Sequence, residues 1–305
     1  MLIADIGGTN TRCGTTGPSG PEHIARFRNA DYQDVADLLR DYIATLPDDG
    51  KPGSAVLAIA GPVRGDEVQM TNLNWRFSAT ALGEELQLSR LRVINDFEAY
   101  AHALPTLNPE SLLKIGSGEI RLDAPKGALG PGTGLGVASL LPMGNDWRAL
   151  PGEGGHVTLA AYNAREAQVI QAARERYGHC SAERLISGPG LSLLHELLHG
   201  EEGLDAPELA ARIAAGNSAA ADTFDMFCQL LGTVAADLAL TIGAFGGIYI
   251  GGGILPRHAE RFAASGFRAR FEDKGRYDDY LAGIPTFLVT ADEPALIGLW
   301  ALART

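Results

Sequence analysis

Residues 2–12 read LIADIGGTNTR, and residues 127–141 read GALGPGTGLGVASLL. Each is an apolar run, then a glycine-rich turn carrying a threonine, then a second apolar run. Short continuous apolar runs that stop at glycine turns mark strands buried in a sheet. The echo lies well over a hundred residues away and suggests two similar halves, although its letters are too degenerate to establish a duplication. Each turn has two readings. Glycines let backbone N–H groups close on an anion, with Thr9 or Thr133 adding a hydroxyl and Asp5 placed to orient a magnesium ion through water. The alternative is a plain hairpin turn with Asp5 as a cap. The second turn, with Gly130, Gly132, Gly134 and Gly136, is neither a Walker A loop, since no GK[ST] follows, nor a Rossmann fingerprint. Two such turns, each with a threonine and flanked by strands, favour a phosphate clamp between domains.

Working outward, strands are expected over 2–6, 55–60, 91–94, 127–141, 154–159, 247–250 and 284–290. Helices alternate with them. Residues 34–46 carry Val35, Leu38, Leu39, Tyr42 and Ile43 at helical spacing. Asn163 is placed to cap a helix through Tyr177 that Gly178 stops. Residues 218–242 are Ala-rich and apolar nearly all round, which predicts a central buried helix. Pro294 suits the first turn of a last helix, 294–302. This alternation implies an α/β fold. The boundary between halves is expected near LPTLNPESL, residues 104–112, where prolines and polar residues cluster.

The 305 residues suffice for two domains, and 46% apolar with 20% charged residues describes a globular chain. A net charge of −12 argues against a nucleic-acid partner, which requires a basic face. Cys13, Cys180 and Cys228 are odd in number and widely spaced, which supports neither a disulfide framework nor a zinc cluster and fits a reducing cytoplasm. MLIADIGG has no basic n-region, so no signal peptide is expected. The uncharged stretch 238–255, LALTIGAFGGIYIGGGIL, approaches the length of a membrane span. Its six glycines would weaken a lipid-exposed helix, and a helix ending near Gly243, a short strand IYI and a glycine turn account for it without a membrane.

Candidate chemistry sits at strand ends. In LRVINDFEAYAHALP, residues 91–105, Asn95 and Asp96 fall between a buried strand and a helix over 97–104. A carboxylate there is either a helix cap or a reacting group. LPGEGGHVTLA brings Glu153 and His156 together, and GHCSAERLISGPG supplies Glu183. Carboxylates with a neutral imidazole accept from and donate to vicinal hydroxyls, as a polyol requires. Glu183, two residues after Ser181, equally suits a helix N-terminus, and His156 equally suits a structural role heading a strand. Metal-ligand spacing of the HExxH kind is absent. The third glycine cluster, Gly251, Gly252 and Gly253, is either a surface for a flat base or a tight strand-to-helix turn.

Taken together and in this order, ADIGGTNTR, VINDFEA, GTGLGVA, LPGEGGHV, SAERLISGPGL, FGGIYIGGGILPR and ASGFRARFEDKGR resemble the glucokinases of the bacterial hexokinase-like family, over essentially the whole chain. The resemblance implies the two-domain actin-like ATPase fold of sugar kinases. A small α/β domain (residues 1–106, rejoined by the C-terminal helix, 294–305) and a large α/β domain (107–293) would flank an interdomain cleft. It implies ATP-dependent phosphorylation of D-glucose with Asp96 as catalytic base. Asn95, Glu153, His156 and Glu183 would bind glucose. Ala4, Asp5, Ile6, Gly7, Gly8 and Thr9 would form one turn for the ATP phosphates, and Gly132, Thr133 and Gly134 its opposing partner. Gly251, Gly252 and Gly253 would lie on the adenosine side. Such enzymes are similar in being cytoplasmic, magnesium-dependent and commonly homodimeric.

Two departures stand out. Pro131 replaces a small residue in GPGTG, which implies a stiffer turn. The Cys-rich zinc motif of the related ROK kinases and repressors is missing, as is the helix-turn-helix that ROK repressors place ahead of their first glycine turn. A glucose- and ATP-binding sensor without turnover is the competing function, and the carboxylate of Asp96 weighs against it. A chaperone or filament ATPase of the same architecture would have no use for Glu153, His156 and Glu183.

Overall fold

A computed structural model describes residues 1–70 and 73–304 of the chain. Internal contacts divide it into two units, one of Met1–Asn108, Met143–Pro151 and Ala291–Thr305, the other of Pro109–Pro142 and Gly152–Thr290. The first unit therefore includes a short stretch after residue 142 that an unbroken 107–293 domain would have claimed. Thr305, the end of the C-terminal segment, lies outside the described residues.

The first unit is built on a sheet of order Pro21–Arg28, Asn10–Thr16, Leu2–Ile6, Ser54–Ile59, Arg90–Asn95. Leu2–Ile6 pairs antiparallel with Asn10–Thr16 and parallel with Ser54–Ile59, which in turn pairs parallel with Arg90–Asn95. Alternation along the strand sends Leu2, Ala4 and Ile6 to one face and Ile3 to the other. On the first face they meet Val35, Leu38, Leu39 and Tyr42 of helix Val35–Thr45, the apolar stripe visible in the sequence. On the second, Ile3, Val56, Ala58 and Ile94 meet Ala99 of helix Asp96–Ala103 and Ala295, Leu296 and Leu299 of helix Pro294–Leu302. These two helices approach so closely that a Cβ on Gly298 would lie 1.7 Å from the Ala99 carbonyl oxygen.

The second unit repeats the arrangement. Lys126–Pro131 pairs antiparallel with Leu135–Met143 and parallel with Ile248–Ile250, which pairs parallel with Thr286–Val289. The two hairpins are the two quoted stretches, and the echo in sequence is an echo in topology. Residues 127–141 are thus two strands around a turn, not one continuous strand. Thr286–Val289 also pairs antiparallel with Leu112–Ile115. Helix Ser218–Ile242 fills the core, burying Phe224, Phe227, Leu230 and Leu231 among others. Asn217 caps its start by accepting from the Ala220 N–H, and Gly243 at φ 64° ends it. By length and composition this helix is apolar enough to cross a membrane, but 61% of its most apolar window is buried inside the protein. The stretch 238–255 resolves into the end of that helix, a turn and the strand Ile248–Ile250, as the glycines foretold.

One expected strand is absent. Residues 154–159 form a 3-10 turn, Gly154–His156, followed by a single bridge between Thr158 and Ser181. Gly154 and Gly155 are pressed against Val137 and the Leu135 carbonyl, which leaves that backbone no sheet edge to join.

The Gly298 contact yields a test of the first unit's packing. Alanine gains about 1 kcal/mol over glycine in helix propensity, but its methyl meets backbone that has no rotamer to change. Overpacking of this kind costs about 1–3 kcal/mol. Gly298→Ala is expected to lower the melting temperature in a thermal scan. An unchanged or raised value would show that the two helices separate freely.

Candidate active site

In the first unit the chemical residues emerge at one end of the parallel strands. Ile6 is in register with Ile59, and Ile59 with Asn95. The Gly7–Thr9 turn and Asp96 therefore leave the sheet at the same level, at the carboxyl ends where open α/β sheets bind ligands. Asn95 is the N-cap of helix Asp96–Ala103. Its Oδ1 accepts from the N–H groups of Phe97 (2.8 Å) and Glu98 (3.2 Å), and its Nδ2 donates to the Gly61 carbonyl at 3.2 Å. The capping role considered for Asp96 belongs chiefly to its neighbour. Asp96 is the first helical residue, and its Oδ1 accepts from Phe97 N–H at 2.9 Å. At that position the helix dipole favours its negative charge.

The Gly7–Thr9 turn is the hairpin of the plainer reading, and its hydrogen bonds also fit it for an anion. Asn29, 2% exposed, donates from Nδ2 to the Gly7 carbonyl (2.8 Å) and from its backbone to the Thr9 carbonyl (3.0 Å). Thr11 Oγ1 donates to Asn29 Oδ1 at 2.8 Å. Carbonyl oxygens, which would repel a phosphate, are thus tied back. Among the described residues the N–H groups of Gly8 and Thr9 meet no protein acceptor. Nothing in the sequence signals Asn29, a single amide between a strand and a helix.

Asp5 is held in a charged network. Its carboxylate is 3.7 Å from Arg12, while Arg12 Nε lies 2.5 Å from Glu293, which also pairs with Arg26 at 2.6 Å. Burial pushes the Asp5 carboxyl up to about 6, Arg12 opposing and Glu293 adding to the rise.

The second unit carries the remaining candidates. The Gly132–Gly134 turn leads into Leu135–Met143, closed by Gly132 N–H to the Gly134 carbonyl at 2.8 Å. Pro131 ends the preceding strand, buried. Gly251 donates to the Leu129 carbonyl at 2.8 Å, and Gly252, at φ 83°, would put a Cβ 2.2 Å from the Pro131 carbonyl oxygen. The two glycine turns are therefore neighbours, as one nucleotide bound along both would require.

Glu153, His156 and Glu183 converge. His156 Nε2 is 3.9 Å from Glu153, and its Nδ1 is 3.9 Å from Glu183 Oε1. Both His156 and Glu153 are more than half exposed, which sets aside a satisfied structural histidine. Glu183 follows the N-cap Ser181 in helix Ala182–Leu185, as the plainer reading held. Its Oε2, however, is turned away to accept from the Leu135 N–H at 2.8 Å. Two carboxylates around an exposed imidazole offer acceptors and a donor on one face.

The chain compares with known proteins over its full length. A glucokinase family model matches residues 2–305. The glucokinase of Nitrobacter hamburgensis is 46% identical over 304 residues, 98% of this chain and 95% of that protein. The bifunctional protein glk of Burkholderia pseudomallei is 44% identical over 99% of this chain, which spans 48% of that relative, about half its length. Among solved structures, glucokinase from an Antarctic psychrotroph superposes with a TM-score of 0.90 at 36% identity, covering 99% of this chain and 98% of that one.

The half-buried Asp5 sets a pH-dependent stability. Its carboxyl titrates near 6 in the folded chain against 3.8 ordinarily, so between those values the folded state binds the proton more tightly. Stability therefore falls as pH rises through this window, and the penalty persists above it. In magnesium-free buffer, Asp5→Asn is expected to melt above the unsubstituted protein at pH 7 and to converge with it below about pH 4. A lower melting temperature at pH 7 would mean that the pair with Arg12 outweighs burial.

Proposed function

This chain belongs to the glucokinase family, and from that premise we propose how its residues divide the work of phosphorylating glucose. The fold is the two-domain actin-like ATPase fold of sugar kinases, and the reaction is ATP-dependent conversion of D-glucose to glucose 6-phosphate. The observation that carries the assignment is the Asn95–Asp96 junction. A carboxylate stands at the carboxyl end of a parallel strand, in the row that also releases the Gly7–Thr9 turn.

Asp96 accepts the proton of the sugar 6-hydroxyl as that oxygen bonds to the γ-phosphorus. The bond from γ-phosphorus to the β–γ bridging oxygen breaks, and ADP departs. Such a transfer rests on positioning and charge stabilisation, with little covalent work for the protein. Glu153, His156 and Glu183 hold the sugar hydroxyls. Asn95 adds its amide, with one Nδ2 hydrogen beyond that given to Gly61. The N–H groups of Gly8 and Thr9, and the turn of Gly132, Thr133 and Gly134, receive the phosphates. Gly251, Gly252 and Gly253 take the adenosine side.

Magnesium is the implied metal. A single half-buried carboxylate, Asp5, fits an ion that keeps most of its water and takes its other ligands from phosphate. Asp5 would hold it through water, and the bound ion would neutralise charge on the transferred group. A cytoplasmic location is supported by three free, buried cysteines. The homodimer is supported by the family resemblance. A sensor that binds glucose and ATP without turnover is not favoured, because affinity alone requires no base.

Asp96→Asn tests the assignment. The amide still bonds the sugar hydroxyl but accepts no proton, and loss of a general base lowers turnover by about 10²–10⁴-fold. Glucose binding by calorimetry is expected to survive within a modest factor. The melting temperature should change little, because Asn95 supplies most of the cap. Near-normal turnover in a destabilised variant would make this carboxylate structural.

A further inference from the structure

Residues 132–135, assigned above to a phosphate, also touch both segments assigned to the sugar. The Leu135 N–H donates to Glu183 Oε2, and a Cβ on Gly134 would lie 2.4 Å from that same oxygen. On its other side the Leu135 carbonyl is packed by Gly155, where a Cβ would come within 2.1 Å. Gly155 sits between Glu153 and His156 in sequence. One residue, Leu135, therefore braces both segments assigned to the sugar, through its N–H on Glu183 and its C=O against the 153–156 turn. The segment after Glu183 is tied to the same turn again, since Gly188 N–H donates to the Gly132 carbonyl at 2.7 Å. With Oε2 occupied, Oε1 is the oxygen turned toward His156 and left for a hydroxyl.

We propose that the Gly134–Leu135 peptide is a positioning element shared by the nucleotide turn and the sugar site, so that a nucleotide on residues 132–134 raises hexose affinity through Glu183. The proposal rests on the glucokinase reading and adds a route for coupling that lies within the second unit. A phosphate gripping the turn restricts the Leu135 N–H, which restricts the Glu183 carboxylate, and a sugar then finds its acceptor already oriented. Linkage makes the effect reciprocal: glucose tightens nucleotide binding by the same factor. Gly134 serves here by having no side chain, since a methyl would push Glu183 off the peptide.

The test is the factor by which a non-hydrolysable ATP analogue with magnesium tightens glucose, measured by calorimetry. Couplings between sites usually span about 5- to 150-fold, and the unsubstituted protein is expected within that range. Glu183→Gln keeps an oxygen for the Leu135 N–H, so glucose weakens but the coupling factor is retained. Glu183→Ala removes the link, and the factor falls toward one while Glu153 and His156 keep binding measurable at millimolar glucose. Gly134→Ala lowers the factor too, and combining it with Glu183→Ala lowers it no further, as expected of two residues acting through one contact. A melting scan of each variant separates these effects from misfolding. An undiminished factor in Glu183→Ala, or equal loss in Glu183→Gln, overturns the proposal but not the glucokinase reading on which it rests. Failure of the unsubstituted protein to bind or phosphorylate glucose would instead overturn the function itself.

Discussion

Ile6, Ile59 and Asn95 share one row of a parallel register, and the chemistry of the first unit depends on that row. Because the strands stop together, a glycine turn, a loop at Gly61 and a helix N-terminus all begin at the same level. Asn95 then fixes the geometry with a single amide, its oxygen closing the helix and its nitrogen holding the Gly61 carbonyl. The Asp96 carboxylate in turn accepts the backbone N–H of Phe97. Side chains anchored to backbone in this way keep one position to within a fraction of an ångström. The second unit has the same row, with Leu129, Ile250 and Leu288 in register and two glycine turns at its edge.

The parts of the fold legible in the sequence are those whose signals are local. Helix Ser218–Ile242 was readable to the residue because its apolar run is long and Gly243 ends it. Helix Pro294–Leu302 was equally readable from its proline. The strand Pro21–Arg28 was not, since it exposes much of one edge and carries charge at alternate positions. Leu112–Ile115 was hidden for a different reason: its partner, Thr286–Val289, is far away in sequence, and pairing across such a distance leaves no local mark. Residues 154–159 misled because Gly-Gly-His-Val-Thr-Leu has strand composition, while its glycines are there for close approach to another strand.

The site divides in the same way. Asp96, Glu153, His156 and Glu183 could be picked out because chemistry restricts which residue types serve a base or a polyol. Their supports could not. Asn29 holds the Gly7–Thr9 turn from a position whose sequence neighbours say nothing about phosphate. The Leu135 N–H carries no side-chain identity at all, so no reading of letters would have placed Glu183 against it. Backbone groups are the parts of a site that a sequence cannot spell, and here they help to hold both the Gly7–Thr9 turn and the Glu183 carboxylate.

Charge around Asp5 is arranged so that its desolvation is only partly offset. Arg12 is the nearest cation, but it gives its closer contact, 2.5 Å, to Glu293 and stands 3.7 Å from Asp5. Glu293 is itself held in a left-handed conformation at φ 49°, a geometry that costs a non-glycine residue of the order of 1–3 kcal/mol. It makes no capping bond to its own helix, Pro294–Leu302, and spends its carboxylate on Arg12 and Arg26 instead. Strain and a forgone cap are the cost of drawing Arg12 aside. The result is a carboxylate at the head of the Gly7–Thr9 turn whose charge is only partly compensated from within the protein. A carboxylate fully paired with Arg12 would have little left for a second cation, and an unpaired one would titrate higher still. Held between these limits, Asp5 keeps a carboxylate only partly neutralised beside the Gly7–Thr9 turn, and its proposed part in holding magnesium rests on that property.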